Sequence, residues 1–179
     1  MVDWERIYKL LDDITPLAVD CGRLCGAACC TEWEQGAGVY LLPGEEGMFS
    51  GLEEWLAREE RSIGEYGFRP GSKSRSYIIR CNGTCPRERR PFACRTFPVT
   101  PYLSPEGKFE LRLDEAAVLL CPLVKAGDIK ILEKRFLMRT RLAWEELLRE
   151  PQIRKIIEWK SRQIDIMERD PWRKLLELS

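Results

Sequence analysis

The chain contains no histidine among its 179 residues. This absence excludes catalytic triads built on histidine, zinc proteases with a His-Glu-x-x-His motif, and zinc fingers with mixed cysteine and histidine ligands. A general acid or base would have to be a carboxylate, lysine, tyrosine or cysteine. Any site for a soft metal ion would therefore have to be built from thiolates.

Long hydrophobic runs and an excess of either charge are also lacking. No stretch approaches the roughly 18 apolar residues of a membrane-spanning helix, and the first six residues are too polar for a signal peptide. Basic and acidic residues number 29 each, which gives no general attraction to nucleic acid or to anionic membranes. We therefore expect a cytoplasmic protein without membrane or nucleic-acid partners, and leave protein partners and oligomeric state open.

Composition and hydrophobic spacing predict one domain over residues 1–179. Apolar residues make up 44% of the chain and charged residues 32%, as in soluble globular proteins. Helical spacing is seen at residues 3–14, with Asp3 as the N-cap, and again at residues 45–57. After residue 125 two amphipathic stretches, separated at Pro151, predict a C-terminal helical brace, and Asp170-Pro171 predicts the start of a last short helix.

Short strands are predicted between these helices. Residues 39–42 and 77–79 are apolar runs, and residues 99–113 predict a hairpin that turns at residues 104–108. Residues 58–76 are polar and contain glycine, which predicts a loop, whereas residues 114–120 predict a short helical turn or a loop. The expected fold class is α+β, mainly helical, with a few short strands or a hairpin around a cysteine-ligated metal centre.

Eight cysteines are the most informative feature of the sequence. Four fall within residues 21–30, three within residues 81–94, and one lies further on. In a cytosolic protein thiols stay reduced, so clustered cysteines favour metal binding over disulfides. The candidate metal ligands are Cys21, Cys25, Cys29, Cys30, Cys81, Cys85, Cys94 and Cys121.

Thiolates suit zinc and iron–sulfur clusters, and four of them complete a tetrahedral site. Eight thiols divide into two all-cysteine sites, although one site with spare thiols is also compatible with the count. Prolines follow Cys85 and Cys121, as one follows the last cysteine of a bacterial ferredoxin motif, which favours a cluster of the 4Fe-4S type if the metal is iron. Cys121 taken alone is also compatible with a buried apolar residue.

The spacing within residues 21–30 bears on the number of sites. If residues 21–29 are helical, Cys21, Cys25 and Cys29 share one face, and Cys30 points elsewhere because adjacent helical residues diverge by about 100°. The two side chains of Cys29 and Cys30 are then poorly placed to bind a single metal ion. The spacing favours two sites that share this segment, or one site and one resolving thiol.

The cysteine pattern resembles the YkgJ-like cysteine-cluster proteins, which are also described as a zinc- or iron-chelating domain. The resemblance covers roughly residues 20–122, and its most specific part is the complete Arg-Pro-x-x-Cys-Arg-x-aromatic-Pro block at residues 90–98. The three-residue gaps of the first cluster are closer to the flagellin lysine methylase branch. The matching segments are residues 25–30, Cys81, Cys85, residues 90–98 and Cys121.

This resemblance implies that the eight cysteines bind zinc or an iron–sulfur cluster, but it supplies no settled activity. Three hypotheses follow: a protein whose thiolate sites hold its fold together, an iron–sulfur enzyme of redox or methyl-transfer type, and a thiol redox or metal sensor. Whether the chain is an enzyme is left undecided. Gly36-Ala37-Gly38 is too short to predict a loop that cradles S-adenosylmethionine.

Two charged patterns have structural interpretations. The arginines at residues 87–95 are expected to hold backbone carbonyls and carboxylates beside the cysteines or to lower thiol pKa values, rather than to bind phosphate. The paired acids at 45–46, 53–54 and 59–60 are expected on solvated faces. Glu45 or Glu46 could serve as an extra oxygen ligand for a metal, because both residues follow Pro43-Gly44 near the first cysteine cluster.

Overall fold

The computed structural model describes residues 2–31, 38–51, 53–62, 75–82, 85–124 and 129–169. These ranges contain a mixture of helices and strands, which confirms the predicted α+β class. The helices are α1 (Trp4–Leu11), α2 (Cys21–Cys25), α3 (Ala28–Thr31), α4 (Phe92–Thr96), α5 (Glu115–Leu120), α6 (Lys134–Leu147) and α7 (Pro151–Arg169). The strands are β1 (Val39–Tyr40), β2 (Leu56–Ser62), β3 (Arg75–Cys81), β4 (Val99–Leu103) and β5 (Phe109–Leu113).

The strands form two separate antiparallel units. In the first, β3 lies between β1 and β2, and its Ile79 is paired with Val39 on one side and with Arg58 on the other. In the second, β4 and β5 form the predicted hairpin, with Val99 opposite Leu113. The turn is closed by a hydrogen bond from Gly107 N to Ser104 O, and Gly107 takes a positive φ of 83° that a residue with a side chain rarely adopts.

The helix predicted at residues 45–57 is wrong. Only Glu45–Met48 form a short 3₁₀ turn, and β2 begins at Leu56 within the predicted helix. Gly51 has a φ of 77°, which interrupts the right-handed helical path that the apolar spacing suggested. The loop predicted at residues 58–76 is wrong at both ends, which belong to β2 and β3, while residues 63–74 lie outside the described ranges.

The main hydrophobic core joins α1, Phe92 of α4 and the two long C-terminal helices to residues of β2, β3 and β4. The α1 helix begins as predicted, with Asp3 Oδ1 accepting a hydrogen bond from Arg6 N, but it ends at Leu11. Phe92 at the start of α4 packs edge-on against Trp4 and Trp144, with ring centroids 5.9 and 4.9 Å apart. Such aromatic contacts fix α4 against the core, and α4 carries one of the candidate ligands.

The predicted C-terminal brace corresponds to α6 and α7, which pack against α1 and β4. On α7, Ser161 Oγ accepts a hydrogen bond from Leu103 N, and Asp165 accepts one from Tyr102. The helix predicted to begin at Asp170-Pro171 lies outside the described residues. Among the residues described, no helix is both long enough and apolar enough to cross a membrane.

Candidate metal centre

The first cysteine cluster folds as two short helices instead of one. Asp20 caps α2 by accepting a hydrogen bond from Gly22 N at 3.2 Å, and α2 ends where Gly26 and Ala27 both take positive φ values, 63° and 57°. The chain then re-enters a helical turn at Ala28. Because of this break, Cys29 does not continue the face that Cys21 and Cys25 share.

The expected divergence of Cys29 and Cys30 is also wrong. Their Sγ atoms lie 4.0 Å apart, because rotation about each Cα–Cβ bond brings together sulfurs whose Cβ atoms diverge. Two thiolates on one tetrahedral zinc are separated by about 3.8 Å, as follows from a Zn–S distance of about 2.3 Å. The pair is therefore spaced closely enough to bind one ion, and this argument for two sites no longer holds.

Separate elements bring the remaining cysteines toward this segment. Strand β3 ends at Cys81, Cys85 precedes a 3₁₀ turn at residues 87–89, and Cys94 lies in the middle of α4. Cys121 directly follows α5, which is capped by Asp114, so residues 114–120 form the helical turn rather than the loop of the two predicted alternatives. Cys121 is buried against Ala117 and Val124, whereas Cys81 is exposed and the other six are half-buried.

Two adjoining spaces collect all eight thiols. A cavity of about 60 Å³ is lined by Cys21, Cys25, Cys29, Cys94 and Cys121. A groove of about 1140 Å³ is lined by Cys29, Cys30, Cys81, Cys85 and Cys94. Cys29 and Cys94 line both spaces. Within the described ranges, however, no three cysteine or acidic side chains are placed closely enough to hold a metal ion.

Electrostatic neighbours divide the thiols in the same way. Burial raises the pKa of Cys21, and the nearby thiols of Cys25 and Cys121 raise it further. Burial likewise raises the pKa of Cys94, with additional contributions from Cys30, Cys85 and Cys81. The thiols therefore form one group around Cys21 and a second around Cys94, with Cys29 between them because Cys30, Cys94 and Cys21 all raise its pKa.

Cys30 behaves differently from the other thiols. The pKa of Cys30 is lowered to about 6, chiefly by the hydrogen bond shared with Cys29 and also by the Arg90 guanidinium, while burial acts in the opposite direction. The same shared proton raises the pKa of Cys29. The pair therefore holds one proton near neutral pH, with the thiolate on the cysteine nearer Arg90.

The arginines beside the cysteines make the contacts expected from the sequence. Arg95 is almost fully buried, with a side-chain exposure of 4%, and donates to Arg90 O at 2.8 Å and to Asp12 Oδ1 at 2.6 Å. It also donates to the carbonyls of Tyr8 and Glu88 and stacks on the Tyr8 ring. One side chain thus ties α1 to the turn between Cys85 and Cys94.

Glu45 has a role that the sequence analysis missed. It is 1% exposed, so the prediction that this acid lies on a solvated face is wrong. Its Oε1 accepts hydrogen bonds from Tyr8 Oη at 2.8 Å and Phe92 N at 2.7 Å, and its Oε2 accepts one from Leu42 N at 3.0 Å. These contacts make Glu45 an anchor for the start of α4 rather than an oxygen ligand facing the cysteines.

Burial is the largest influence on the Glu45 carboxyl, and it raises its pKa, while the hydrogen bonds from Phe92, Leu42 and Tyr8 oppose that shift. Only one indication of this role was present in the sequence: Pro43-Gly44, which predicts a turn just before Glu45. Its partners Tyr8 and Phe92 lie 37 and 47 positions away along the chain, beyond the reach of local patterns.

No family model, curated protein or solved structure matches this chain. The resemblance to the YkgJ-like proteins therefore rests on the cysteine pattern and the block at residues 90–98, and it stays a prediction. The geometry adds a physical reason for that block, since Phe92 anchors α4 in the core, Cys94 faces both spaces, and Arg95 holds the preceding turn.

Proposed function

We propose that this protein binds zinc or an iron–sulfur cluster through all-thiolate sites formed by its eight cysteines. The observation that carries the proposal is the position of Cys29 and Cys94, which line both the small cavity and the larger groove. Residues separated by up to a hundred positions in the sequence thereby meet around two adjoining spaces. Eight cysteines that served only as separate buried apolar residues would not be expected to converge in this way.

We assign four thiolates to each of two sites. Cys29 joins Cys21, Cys25 and Cys121, because its sulfur lies within electrostatic reach of Cys21 and lines the same cavity. Cys94 joins Cys30, Cys81 and Cys85, the three thiols that influence its pKa. The two sites would adjoin at the Cys29-Cys30 pair.

The donor set fits both candidate metals. Four thiolates complete a tetrahedral zinc site and also ligate a 4Fe-4S cluster. Thiolates must lose their protons to bind, and Arg90 beside Cys30 and Cys85 favours that loss. A bound metal would supply cross-links between α2, α3, β3 and α4 that burial alone does not provide.

Elemental analysis together with a visible spectrum of anaerobically purified protein tests the proposal. Zinc would give a colourless protein with about two ions per chain, whereas an iron–sulfur cluster would give a brown protein whose absorption bleaches on reduction. Less than one metal ion or cluster per chain in either preparation would contradict the proposal.

Single substitutions test the division of ligands. Cys21→Ser is expected to remove metal from the first site alone, and Cys94→Ser from the second alone, so each variant should retain about half of the wild-type metal. Ala93→Ser is the matched control, since this exposed neighbour on α4 lines the groove without offering a thiolate. Unchanged metal content in Cys94→Ser would remove that residue from the ligand set.

A second candidate function, a thiol redox sensor, is favoured by the Cys29-Cys30 pair. Hydrogen peroxide could accept two electrons from this thiol and thiolate, forming one S–S bond, one water and one hydroxide ion as the single thiol proton leaves. Loss of two free thiols per chain, with release of metal, is expected on peroxide treatment and should be absent in Cys30→Ser. Retention of all thiols in the wild-type protein would exclude this function.

A further inference from the structure

The groove beside the cysteines extends well beyond them. Residues of β1, β3, α4, β4 and α7 line it. Along α7 the lining runs from Gln152 to Arg162, which corresponds to about 15 Å of helix. At about 1140 Å³ the groove is as large as sites that enclose small organic ligands.

The α7 wall presents a cation, an aromatic ring and a second cation in succession. Lys155, Trp159 and Arg162 all line the groove, and their spacing of four and then three residues places them on one helical face. The Cα atoms of the two cationic residues lie about 4.5–6 Å along the helix axis from that of Trp159. Lys155 and Arg162 are both exposed, and the described residues offer neither of them an ion pair.

The α7 end of the groove is positive. Lys155, Lys160 and Arg162 line it there, against one acid, Glu158, which already accepts a hydrogen bond from Arg154 at 3.0 Å. The other two basic residues of the lining are engaged elsewhere, since Arg75 pairs with Glu60 and Arg90 lies beside Cys30 and Cys85. The charge at the α7 end therefore favours an anionic ligand, in contrast to the zero net charge of the whole chain.

We propose that this groove binds a nucleotide, with its base on the face of Trp159 and its phosphates on Lys155 and Arg162. A planar base gains stacking energy on an indole, and phosphate oxygens accept charge-assisted hydrogen bonds from both cations. Phosphate alone would not use the ring, and a neutral nucleoside would not use the cations. The assignment concerns residues other than the cysteines and goes beyond the proposed metal sites.

Calorimetric titration of the purified protein with ATP, inorganic triphosphate and adenosine tests the proposal. ATP is expected to bind at least tenfold more tightly than either inorganic triphosphate or adenosine, because only ATP combines ring and charge. Absence of ATP binding would overturn the proposal. Equal affinity for ATP and inorganic triphosphate would also overturn it, since the base would then contribute nothing.

Three substitutions locate the site. Arg162→Gln and Trp159→Leu should each weaken ATP binding about tenfold, whereas Arg149→Gln, which removes an exposed cation outside the groove, should leave it unchanged. Wild-type affinity in both groove variants would show that ATP binds elsewhere. Metal content measured on the same samples should be unaffected, so a failure of this proposal is distinguishable from a failure of the metal assignment.

Discussion

Tyr8 donates a buried hydrogen bond of 2.8 Å to Glu45, 37 positions further along the chain. The same carboxylate accepts from the backbone N–H groups of Phe92 and Leu42, so it joins α1, the end of β1 and the start of α4. Since Cys94 lies two residues after Phe92, this carboxylate helps set the position of a candidate ligand without touching it.

Glu45→Gln is predicted to lower the free energy of unfolding by about 2–3 kcal/mol. The amide keeps the size of the carboxylate but has only one acceptor oxygen. Its NH₂ group would therefore face another donor, either Leu42 N or the Tyr8 hydroxyl and Phe92 N. Chemical denaturation of the metal-bound protein measures the effect.

The control for this substitution is Glu54→Gln, which changes an exposed acid nine positions away. It should alter the free energy of unfolding by less than about 0.5 kcal/mol. Equal effects of the two substitutions would show that the three hydrogen bonds to Glu45 do not contribute to stability.

Arg95→Lys is predicted to cost about 2–4 kcal/mol in unfolding free energy and to weaken metal binding at the Cys94 group. The guanidinium reaches four acceptors in α1 and the turn before α4, and a single ammonium cannot reach all of them. Metal competition with a chromophoric chelator, measured beside denaturation, separates the two effects.

The nearby Arg89→Lys provides the comparison, because the Arg89 side chain is 57% exposed and its nearest carboxylate oxygen, on Glu53, lies 3.8 Å away. A long contact from an exposed arginine contributes little, and lysine keeps the charge, so both stability and metal affinity should stay near wild type. If Arg95→Lys were equally harmless, the turn before Cys94 would be held by other contacts.

Local sequence patterns predicted the elements whose partners are close in the chain. The hairpin of β4 and β5 follows from two alternating runs around a glycine turn, and α1 follows from its apolar spacing and its Asp3 cap. The helix wrongly predicted at residues 45–57 had suitable spacing as well, but the positive φ of Gly51 and the pairing of β2 with β3 override it.

The candidate site shows the same limit. The sequence identified the eight cysteines as a set, because clustering is visible without a fold. It did not reveal that Cys29 and Cys30 approach to 4.0 Å, since this distance depends on two side-chain rotations after a helix break at Gly26. Nor did it reveal the buried carboxylate of Glu45, which requires three segments distant in sequence to meet.

Metal affinity is predicted to rise with pH, by at least tenfold per unit between pH 6.5 and 7.5. Burial raises the pKa of Cys21, Cys85 and Cys94, so these thiols are protonated at neutral pH and each must release a proton to bind metal. Cys30, with a pKa of about 6, contributes less to this dependence. Zinc competition with a chelator of known pH dependence measures it.

In the metal-free chain the raised pKa values of these thiols also make the free energy of unfolding depend on pH. A thiol whose pKa is raised by folding holds its proton more tightly in the folded state, so it contributes stability at low pH. This contribution is lost as the pH rises past 9.0, the ordinary pKa of the group.

A metal affinity independent of pH would contradict the assignment of these protonated thiols as ligands.

Ser161→Ala is predicted to lower the free energy of unfolding by about 1–2 kcal/mol while leaving metal content unchanged. Ser161 is 1% exposed, and its hydroxyl oxygen is 2.8 Å from Leu103 N, so the substitution leaves a buried N–H group without an acceptor. Ser104→Ala is the matched control, because Ser104 accepts a comparable bond from Lys108 N at an exposed turn where water replaces it. If α7 serves as a brace for β4, only the buried serine should matter for stability. Loss of metal in Ser161→Ala would instead mean that the packing of α7 helps to shape the cysteine sites.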